Sequence, residues 1–176
     1  VEKSYSRFML YLDSIQKSPN DCVVYGHEKL PNLGDILQEC IDKALALEIL
    51  PGILHGDLCF SNILFDSRAS RIKVIDPRGI NFDNEFTIYG DLKYDLAKLT
   101  HSVIGLYDFI ISGYYKIEEQ ANQSIEIVFD IDERIENIQA YFTENFTIEN
   151  ISVKEIMPLV VLLFMSMLPL HEDRPD

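Results

Sequence analysis

Apolar residues recur at intervals of three and four along several stretches of the chain, which is the spacing of one face of an amphipathic α-helix. This spacing predicts helices over residues 2–17, 32–49, 132–146 and 152–168, and a further helix that begins at about Leu92. Helices are therefore expected to make up most of the fold, with their apolar faces packed against one another.

Short runs of apolar and β-branched residues between turn signals predict β-strands. Residues 22–25 form one such run, and residues 62–66 and 71–75 predict the two strands of a hairpin. The alternation that places Ile72 and Val74 on one face predicts that the second strand is half-buried. Together with the helices, these strands predict an α+β fold that is mostly helical.

Three further stretches connect these elements. Residues 77–90 are rich in Asn, Asp and Gly and predict a loop. Residues 106–115 are expected to continue the preceding helix after Gly105. The pattern at residues 125–129 leaves a strand and the start of a helix both open.

The charge of the chain narrows the classes of partner. Its 176 residues carry 29 acidic and 15 basic side chains, a formal net charge of −14. Nucleic-acid binding needs clustered Lys and Arg, and an anionic membrane surface attracts the same residues, so neither partner is expected. The hydrophobic fraction of 47% is that of an ordinary globular domain.

The cysteines and the most apolar run indicate a cytoplasmic protein without membrane insertion. Cys22, Cys40 and Cys59 are odd in number and widely spaced, which predicts reduced thiols and neither a disulfide framework nor a zinc site. Residues 156–170 form the most apolar run, but it is too short to span a bilayer and Pro158 interrupts it.

His55, Asp57 and Asn62 lie in a polar loop between two short apolar runs. Loops held between rigid elements often carry catalytic and binding residues. The predicted hairpin folds the chain back, so Asp76 is expected to lie near Asn62. Two carboxylates and an amide oxygen in one place suit a hard cation such as Mg²⁺ and the phosphates it accompanies. Asn62 and Asp76 are therefore predicted to be Mg²⁺ ligands.

The spacing H-x-D-x-x-x-x-N, which His55, Asp57 and Asn62 satisfy, is the pattern of the catalytic loop of kinases. In this pattern Asp57 is the candidate base, because a positioned carboxylate can orient an acceptor hydroxyl and take its proton. Structural alternatives remain open: Asp57 as a loop cap, Asn62 as a turn amide and Asp76 as a cap at the end of a strand.

Three segments in this order, residues 55–66, 74–76 and 91–99, resemble the C-terminal lobe of the aminoglycoside phosphotransferase and choline kinase family. Residues 75–79, together with residues 59–61, are most similar to bacterial members associated with capsule or surface-polysaccharide synthesis. The resemblance implies a protein-kinase-like C-terminal lobe with a short β-hairpin after the catalytic loop. It also implies an ATP- and Mg²⁺-dependent phosphotransferase that acts on a hydroxyl of a small molecule, such as a sugar or polyol.

The resemblance also implies roles for residues around the loop. His55 is expected to support the loop through hydrogen bonds to the backbone, and Asp95 to accept hydrogen bonds from its N–H groups. Arg78, two residues after Asp76, is expected to contact an acidic or phosphorylated acceptor or a nucleotide phosphate, with a solvent-exposed position as the alternative. Gly56 stands where protein kinases have an Arg that grips a phosphorylated activation loop, which favours a small-molecule acceptor.

Pro77 departs from the aromatic residue or leucine that the family more often has after the metal aspartate. A proline restricts the residue before it, so Asp76 is predicted to have an extended backbone. The geometry of the metal site is then expected to differ slightly from that of the family.

No segment before His55 carries the Gly-rich loop and strand lysine that the N-terminal lobe of a kinase supplies. Residues 1–176 are therefore expected to be the C-terminal lobe of a longer kinase whose nucleotide-binding lobe is missing, and to be inactive alone. Two other classes remain open. One is a non-catalytic kinase-like binding or regulatory domain, and the other is a metal-dependent phosphoesterase that needs no nucleotide.

Overall fold

The computed structural model describes residues 2–81, 84–119 and 125–170. Within these ranges the chain folds as an α+β protein that is about 47% helical, which confirms the α+β class predicted from the sequence. None of the helices in these ranges is long and apolar enough to cross a membrane.

The helices predicted from the apolar spacing are all present. Within the described ranges the α-helices are α1 (Glu2–Ser14), α2 (Leu33–Ala46), α3 (Lys93–Val103), α4 (Tyr107–Ile111), α5 (Glu133–Asn145) and α6 (Val153–Met167). The predicted continuation of α3 through residues 106–115 is wrong. Leu106 has a left-handed backbone with a φ of 51°, which ends the helix and starts the separate α4.

Short strands alternate with the helices. They are β1 (Cys22–Tyr25), β2 (Glu28–Asn32), β3 (Pro51–Ile53), β4 (Ile63–Asp66), β5 (Arg71–Val74), β6 (Tyr89–Asp91), β7 (Tyr115–Glu119), β8 (Ile125–Phe129), β9 (Thr147–Ile148) and β10 (Ile151–Ser152). Four of them form one sheet in the order β2-β1-β8-β7, and the other six form three separate pairs. The stretch left open at residues 125–129 is therefore a strand.

Two apolar clusters make up the core, and α6 contributes to both. On one side, Ile156 and Val160 of α6 pack with Leu96 and Ala97 of α3 and with Phe142 of α5. On the other, α6 packs with α1 and α2 in a cluster of buried residues: Phe8, Leu12, Leu37, Ile41, Ala44, Leu162 and Met165. The high apolar content of α6 follows from this position, because a helix packed on two sides has little surface left for water.

The predicted hairpin is present, but its predicted burial is wrong. β4 and β5 pair antiparallel with Ile63 opposite Val74. Ile72 is 69% exposed and Val74 is 51% exposed, because β4 and β5 form a two-stranded sheet of their own. The apolar side chains of β5 therefore face solvent in this chain.

The pairing of β3 with β6 fixes the polar loop relative to α3. Pro51 lies opposite Asp91 and Ile53 opposite Tyr89, so the chain enters the loop beside the start of α3. The Asp91 side chain accepts hydrogen bonds from the backbone N–H groups of Leu50 and Lys93, both at 3.2 Å. These contacts join the two ends of the pair and hold α3 next to the loop.

Candidate active site

The backbone of the polar loop is anchored to α3 by one carboxylate. Asp95 accepts hydrogen bonds from the N–H of His55 at 2.7 Å and from the N–H of Gly56 at 2.8 Å. Each oxygen of the carboxylate takes one N–H group, and such charge-assisted bonds are stronger than those between neutral groups. The contacts expected of Asp95 are thus present, and they hold the first residues of the loop.

His55 connects the loop to the end of the hairpin. Its Nδ1 accepts a hydrogen bond from the backbone N–H of Asp57 at 3.3 Å, so the proton of the neutral ring is assigned to Nε2. The Nε2–H then donates to the carbonyl oxygen of Ile75 at 2.9 Å. Both contacts are to backbone groups, in keeping with the supporting role expected of His55. Because Ile75 precedes Asp76, this bond also places the two aspartates in one region.

Both carboxylate oxygens of Asp57 have partners. Oδ1 lies 2.7 Å from the ammonium nitrogen of Lys98, and Oδ2 accepts a hydrogen bond from Asn62 Nδ2 at 3.3 Å. The Asp57 side chain remains 36% exposed, whereas that of Lys98 is only 9% exposed. The carboxylate is therefore held from below and open to solvent on its outer side.

Asn62 is buried, and its amide orientation leaves the oxygen available. Its Nδ2 donates to the backbone carbonyl of Asp57 at 2.9 Å, in addition to the contact with the Asp57 side chain. Its backbone carbonyl accepts a hydrogen bond from Ile75 at 3.0 Å, which extends the hairpin by one contact beyond β4 and β5. Among the described residues no donor is hydrogen-bonded to Oδ1, which is the atom that a cation would coordinate.

Asp76 is exposed and has a φ of 57°, so the predicted extended backbone is wrong. The residues on either side explain this turn. The N–H of Ile75 donates to the carbonyl of Asn62, and the carbonyl of Ile75 accepts from the His55 ring. The N–H of Arg78 donates to the carbonyl of His55 at 2.9 Å. The chain must therefore reverse between residues 75 and 78. A left-handed conformation costs free energy for a residue other than glycine, although Asp adopts it more often than most residues.

Arg78 lies over the loop at Gly56. Its guanidinium donates to the hydroxyl of Tyr94 at 3.2 Å, and its Cζ is 5.6 Å from the centre of the Tyr94 ring. Within the described part of the chain, no acidic side chain forms an ion pair with Arg78. The guanidinium is exposed beside the loop, which leaves its remaining N–H donors available for an anionic group.

Sequence reasoning missed the second contribution of α3 to this site. Lys98 and Ser102 were assigned no role, yet Lys98 pairs with Asp57 and the Ser102 hydroxyl accepts a hydrogen bond from the N–H of Phe60 at 3.2 Å. The signal that could have found them is their spacing from Asp95, because residues three and seven positions along a helix share one face.

His101 is wholly buried behind Lys98, between the rings of Tyr107 and Phe164 at 4.4 and 4.0 Å. Neither ring nitrogen has a hydrogen-bond partner in the described part of the chain. Desolvation lowers the pKa of His101 from 6.5 to about 3, with a further lowering from Lys98 and an opposing effect of Asp57. His101 is therefore part of the core, and its ring stays neutral at pH 7.

The described residues supply only part of a Mg²⁺ coordination shell, and a substrate would have to supply further ligands. Among the described residues, no group of three or more His, Cys, Asp and Glu side chains is placed to hold a metal ion. Asn62 Oδ1 and the Asp76 carboxylate would supply two oxygen ligands. Mg²⁺ commonly takes one or two protein ligands of this kind and completes its shell with phosphate oxygens and water, so the residues present are compatible with it.

The exposed Asp76 and Arg78 leave the site open to solvent. A separate groove of about 560 Å³ lies along α5, and none of the loop residues line it. Its lining residues are Glu133, Arg134, Asn137, Ile138 and Tyr141.

No protein-family model, no curated protein and no solved structure matches this chain. The family resemblance of residues 55–66, 74–76 and 91–99 therefore stays a prediction, and any assignment of function rests on the contacts around Asp57.

Proposed function

We propose that this chain is the kinase-like C-terminal lobe of a phosphotransferase that moves the γ-phosphoryl group of ATP to a hydroxyl of a small molecule. One observation carries the proposal. The carboxylate of Asp57 and the amide of Asn62 contact each other within one loop, and hydrogen bonds through His55 and Ile75 bring Asp76 back to the same place. A base and two oxygen ligands for Mg²⁺ are what phosphoryl transfer requires of this side of the site.

Asp57 is the residue that meets the acceptor in this proposal. The acceptor oxygen bonds to the γ-phosphorus while the bond from that phosphorus to the β,γ-bridging oxygen breaks. ADP leaves with the bonding electrons, and the hydroxyl proton passes to the Asp57 carboxylate. Mg²⁺, when bound through Asn62 and Asp76, would neutralise charge on the phosphates. The outer side of Asp57, which is open to solvent, leaves room for the acceptor.

The acceptor is a small molecule in this proposal, such as a sugar or polyol of capsule or surface-polysaccharide synthesis. Gly56 provides no side chain that could hold a phosphorylated activation loop, and Arg78 occupies the space above it. Arg78 is the candidate contact for an anionic group of the acceptor or for a nucleotide phosphate, because its guanidinium is exposed beside the loop.

A nucleotide-binding lobe is the partner that the exposed hairpin would take. Phe65, Ile72 and Val74 form an exposed apolar patch on one face of the hairpin, and Leu64 and Ile75 are exposed as well. A patch of this kind usually marks a surface that another element covers. We place the N-terminal lobe there, with the adenine of ATP in the cleft between the lobes, and we expect residues 1–176 alone to be inactive.

A cytoplasmic location belongs to the same proposal. ATP is the phosphoryl donor, and Cys22, Cys40 and Cys59 are all free thiols, as expected in a reducing compartment.

The test uses the full-length protein that contains this chain, in an ADP-release assay with sugars, polyols and amino alcohols. Asp57→Asn should lower kcat by about 10²-fold or more, with little change in nucleotide affinity. Asp76→Ala should abolish Mg²⁺-dependent ATP binding measured by calorimetry. Asp66→Asn is the matched control, because Asp66 lies on the same hairpin and its side chain accepts hydrogen bonds from the turn residues Arg68 and Ala69, with no contact to Asp57, Asn62 or Asp76 among the described residues.

Three results would contradict the proposal. Near wild-type turnover by Asp57→Asn would reduce Asp57 to a loop cap. Wild-type protein that binds Mg-ATP but never releases ADP would indicate a non-catalytic binding domain. Phosphate release from phosphoesters without any nucleotide would indicate a phosphoesterase.

A further inference from the structure

One face of α3 contacts the whole length of the candidate catalytic loop. Asp95 accepts from the N–H groups at the start of the loop, Lys98 pairs with the Asp57 side chain, and Ser102 accepts from the N–H of Phe60 near its end. Two of these three contacts are to the backbone and serve to hold the loop. The contact of Lys98 is different, because it is made to the side chain that would do the chemistry.

The ammonium group of Lys98 is buried, and apolar packing does not compensate a buried charge. An ammonium group loses its hydration when it is buried, and this cost must be offset by a well-placed partner. Lys98 is 9% exposed, and Asp57 is its one ion-pair partner in the described part of the chain. Its ammonium has three donors, so the contact with Asp57 Oδ1 leaves two without an ion-pair partner there.

Lys93 shows what a structural lysine on the same helix looks like. It is also buried, and it pairs with Asp91 at 2.6 Å and donates to the carbonyl of Glu48, so its contacts join α3 to β6 and to the segment before β3. The ammonium of Lys98 instead connects α3 to the loop through the Asp57 side chain alone. Its partner is a partly exposed carboxylate at the surface of the loop.

We propose that Lys98 is a positioning residue for phosphoryl transfer, an inference that rests on the proposed function. The ammonium holds Asp57 by Oδ1, and Asn62 contacts Oδ2, so the carboxylate cannot rotate freely. The open side of Oδ2 is thereby directed to the acceptor hydroxyl. In phosphoryl transfer most of the protein's contribution is positioning, and a displacement of about 1 Å can cost about 10²-fold in rate.

Lys98→Met and Lys98→Gln test the inference in the full-length protein. Methionine keeps an unbranched stem, and glutamine keeps a neutral donor in case the methionine variant does not fold. Both variants should lower kcat by about 10- to 100-fold while KM for ATP stays within about twofold, because the nucleotide contacts are untouched. Lys93→Met is the matched control from the same helix. It should keep the wild-type kcat per folded molecule, with folding measured by circular dichroism.

A double-mutant cycle separates positioning through Asp57 from a general effect on the fold. Asp57→Asn combined with Lys98→Met should be no slower than Asp57→Asn alone, because Lys98 acts only through the carboxylate. The inference is overturned by a multiplicative loss in the double variant, by wild-type kcat in Lys98→Met, or by an equal fall in Lys93→Met. It is also overturned if both Lys98 variants fail to fold, since Lys98 would then be structural.

The failure of the proposed function would be visible before any Lys98 variant is measured. If wild-type full-length protein releases no ADP with any acceptor, the phosphotransferase proposal falls and the role of Lys98 falls with it. If the wild type is active and Asp57→Asn is not, the proposed function stands and the double-mutant cycle tests only the role of Lys98.

Discussion

The Cβ of Arg78 lies 2.9 Å from the point where a Cβ on Gly56 would stand. Gly56 also has a φ of 79°, a backbone conformation that favours glycine. The loop and the segment after the hairpin thus meet at a position where only hydrogen fits. The absence of a side chain at residue 56 is what allows Arg78 to reach the loop.

Gly56→Ala is therefore expected to destabilise the fold by about 2–3 kcal/mol in the free energy of unfolding, through backbone strain and the contact with Arg78 together. Gly26→Ala is the matched control, because Gly26 has a φ of 58° and no atom of the described residues lies within 4 Å of its added Cβ. It should cost only about 1 kcal/mol. Urea unfolding measures both variants, and equal decreases in the free energy of unfolding would show that the contact with Arg78 does not contribute.

Asp95→Asn should free the start of the loop. An amide has one oxygen where the carboxylate has two, so one of the N–H groups of His55 and Gly56 loses its acceptor. A lost buried hydrogen bond of this kind costs about 1–3 kcal/mol. Amide hydrogen exchange at both residues should become faster by about tenfold or more. Asp42→Asn on the exposed face of α2 is the control, and unchanged exchange in Asp95→Asn would contradict the anchoring role.

Asp76→Gly should separate stability from function. Glycine adopts a φ near 57° without strain, so the variant should be more stable by about 0.5–1 kcal/mol. Under the proposed function it should also lose Mg²⁺-dependent ATP binding in the full-length protein, because the carboxylate proposed to hold the ion is gone. Ser70→Gly relieves a similar φ of 49° in the hairpin turn and should keep binding. Full Mg²⁺ dependence in Asp76→Gly would exclude Asp76 as a ligand.

His101 should make the protein sensitive to acid. Burial lowers its pKa in the folded state to about 3 from 6.5, so the unfolded chain takes up the proton first. This contribution to stability is complete above about pH 6.5 and is lost as the pH falls towards 3, by about 1.4 kcal/mol per pH unit.

His101→Phe removes this titration and keeps a ring between Tyr107 and Phe164. Between pH 7 and pH 5, the wild type should lose about 2 kcal/mol more stability than the variant in urea unfolding. His27→Gln, which removes an imidazole from an exposed turn, is the control. Parallel pH profiles for wild type and His101→Phe would show that His101 does not titrate on unfolding in this range.

The helices and the hairpin could be predicted from the sequence because their signals are local. α6 begins at a capping box of Ser152 and Glu155, and α2 begins where the Asn32 side chain accepts from the N–H of Asp35. The candidate loop was also recognisable, because His55, Asp57 and Asn62 are close in sequence and contact one another within the folded loop. Residues that act within a few positions of one another leave a pattern that can be read directly.

Contacts between distant segments were decided only by the tertiary structure. Lys98 reaches Asp57 because α3 packs beneath a loop some 40 residues earlier in the chain, and no local pattern encodes that meeting. The burial of His101 and the exposure of Ile72 likewise depend on which elements pack against them. The left-handed turn at Asp76 overrode the local preference set by Pro77, because Ile75 and Arg78 on either side of it are hydrogen-bonded to Asn62 and His55. Their combined geometry outweighs the strain of one residue.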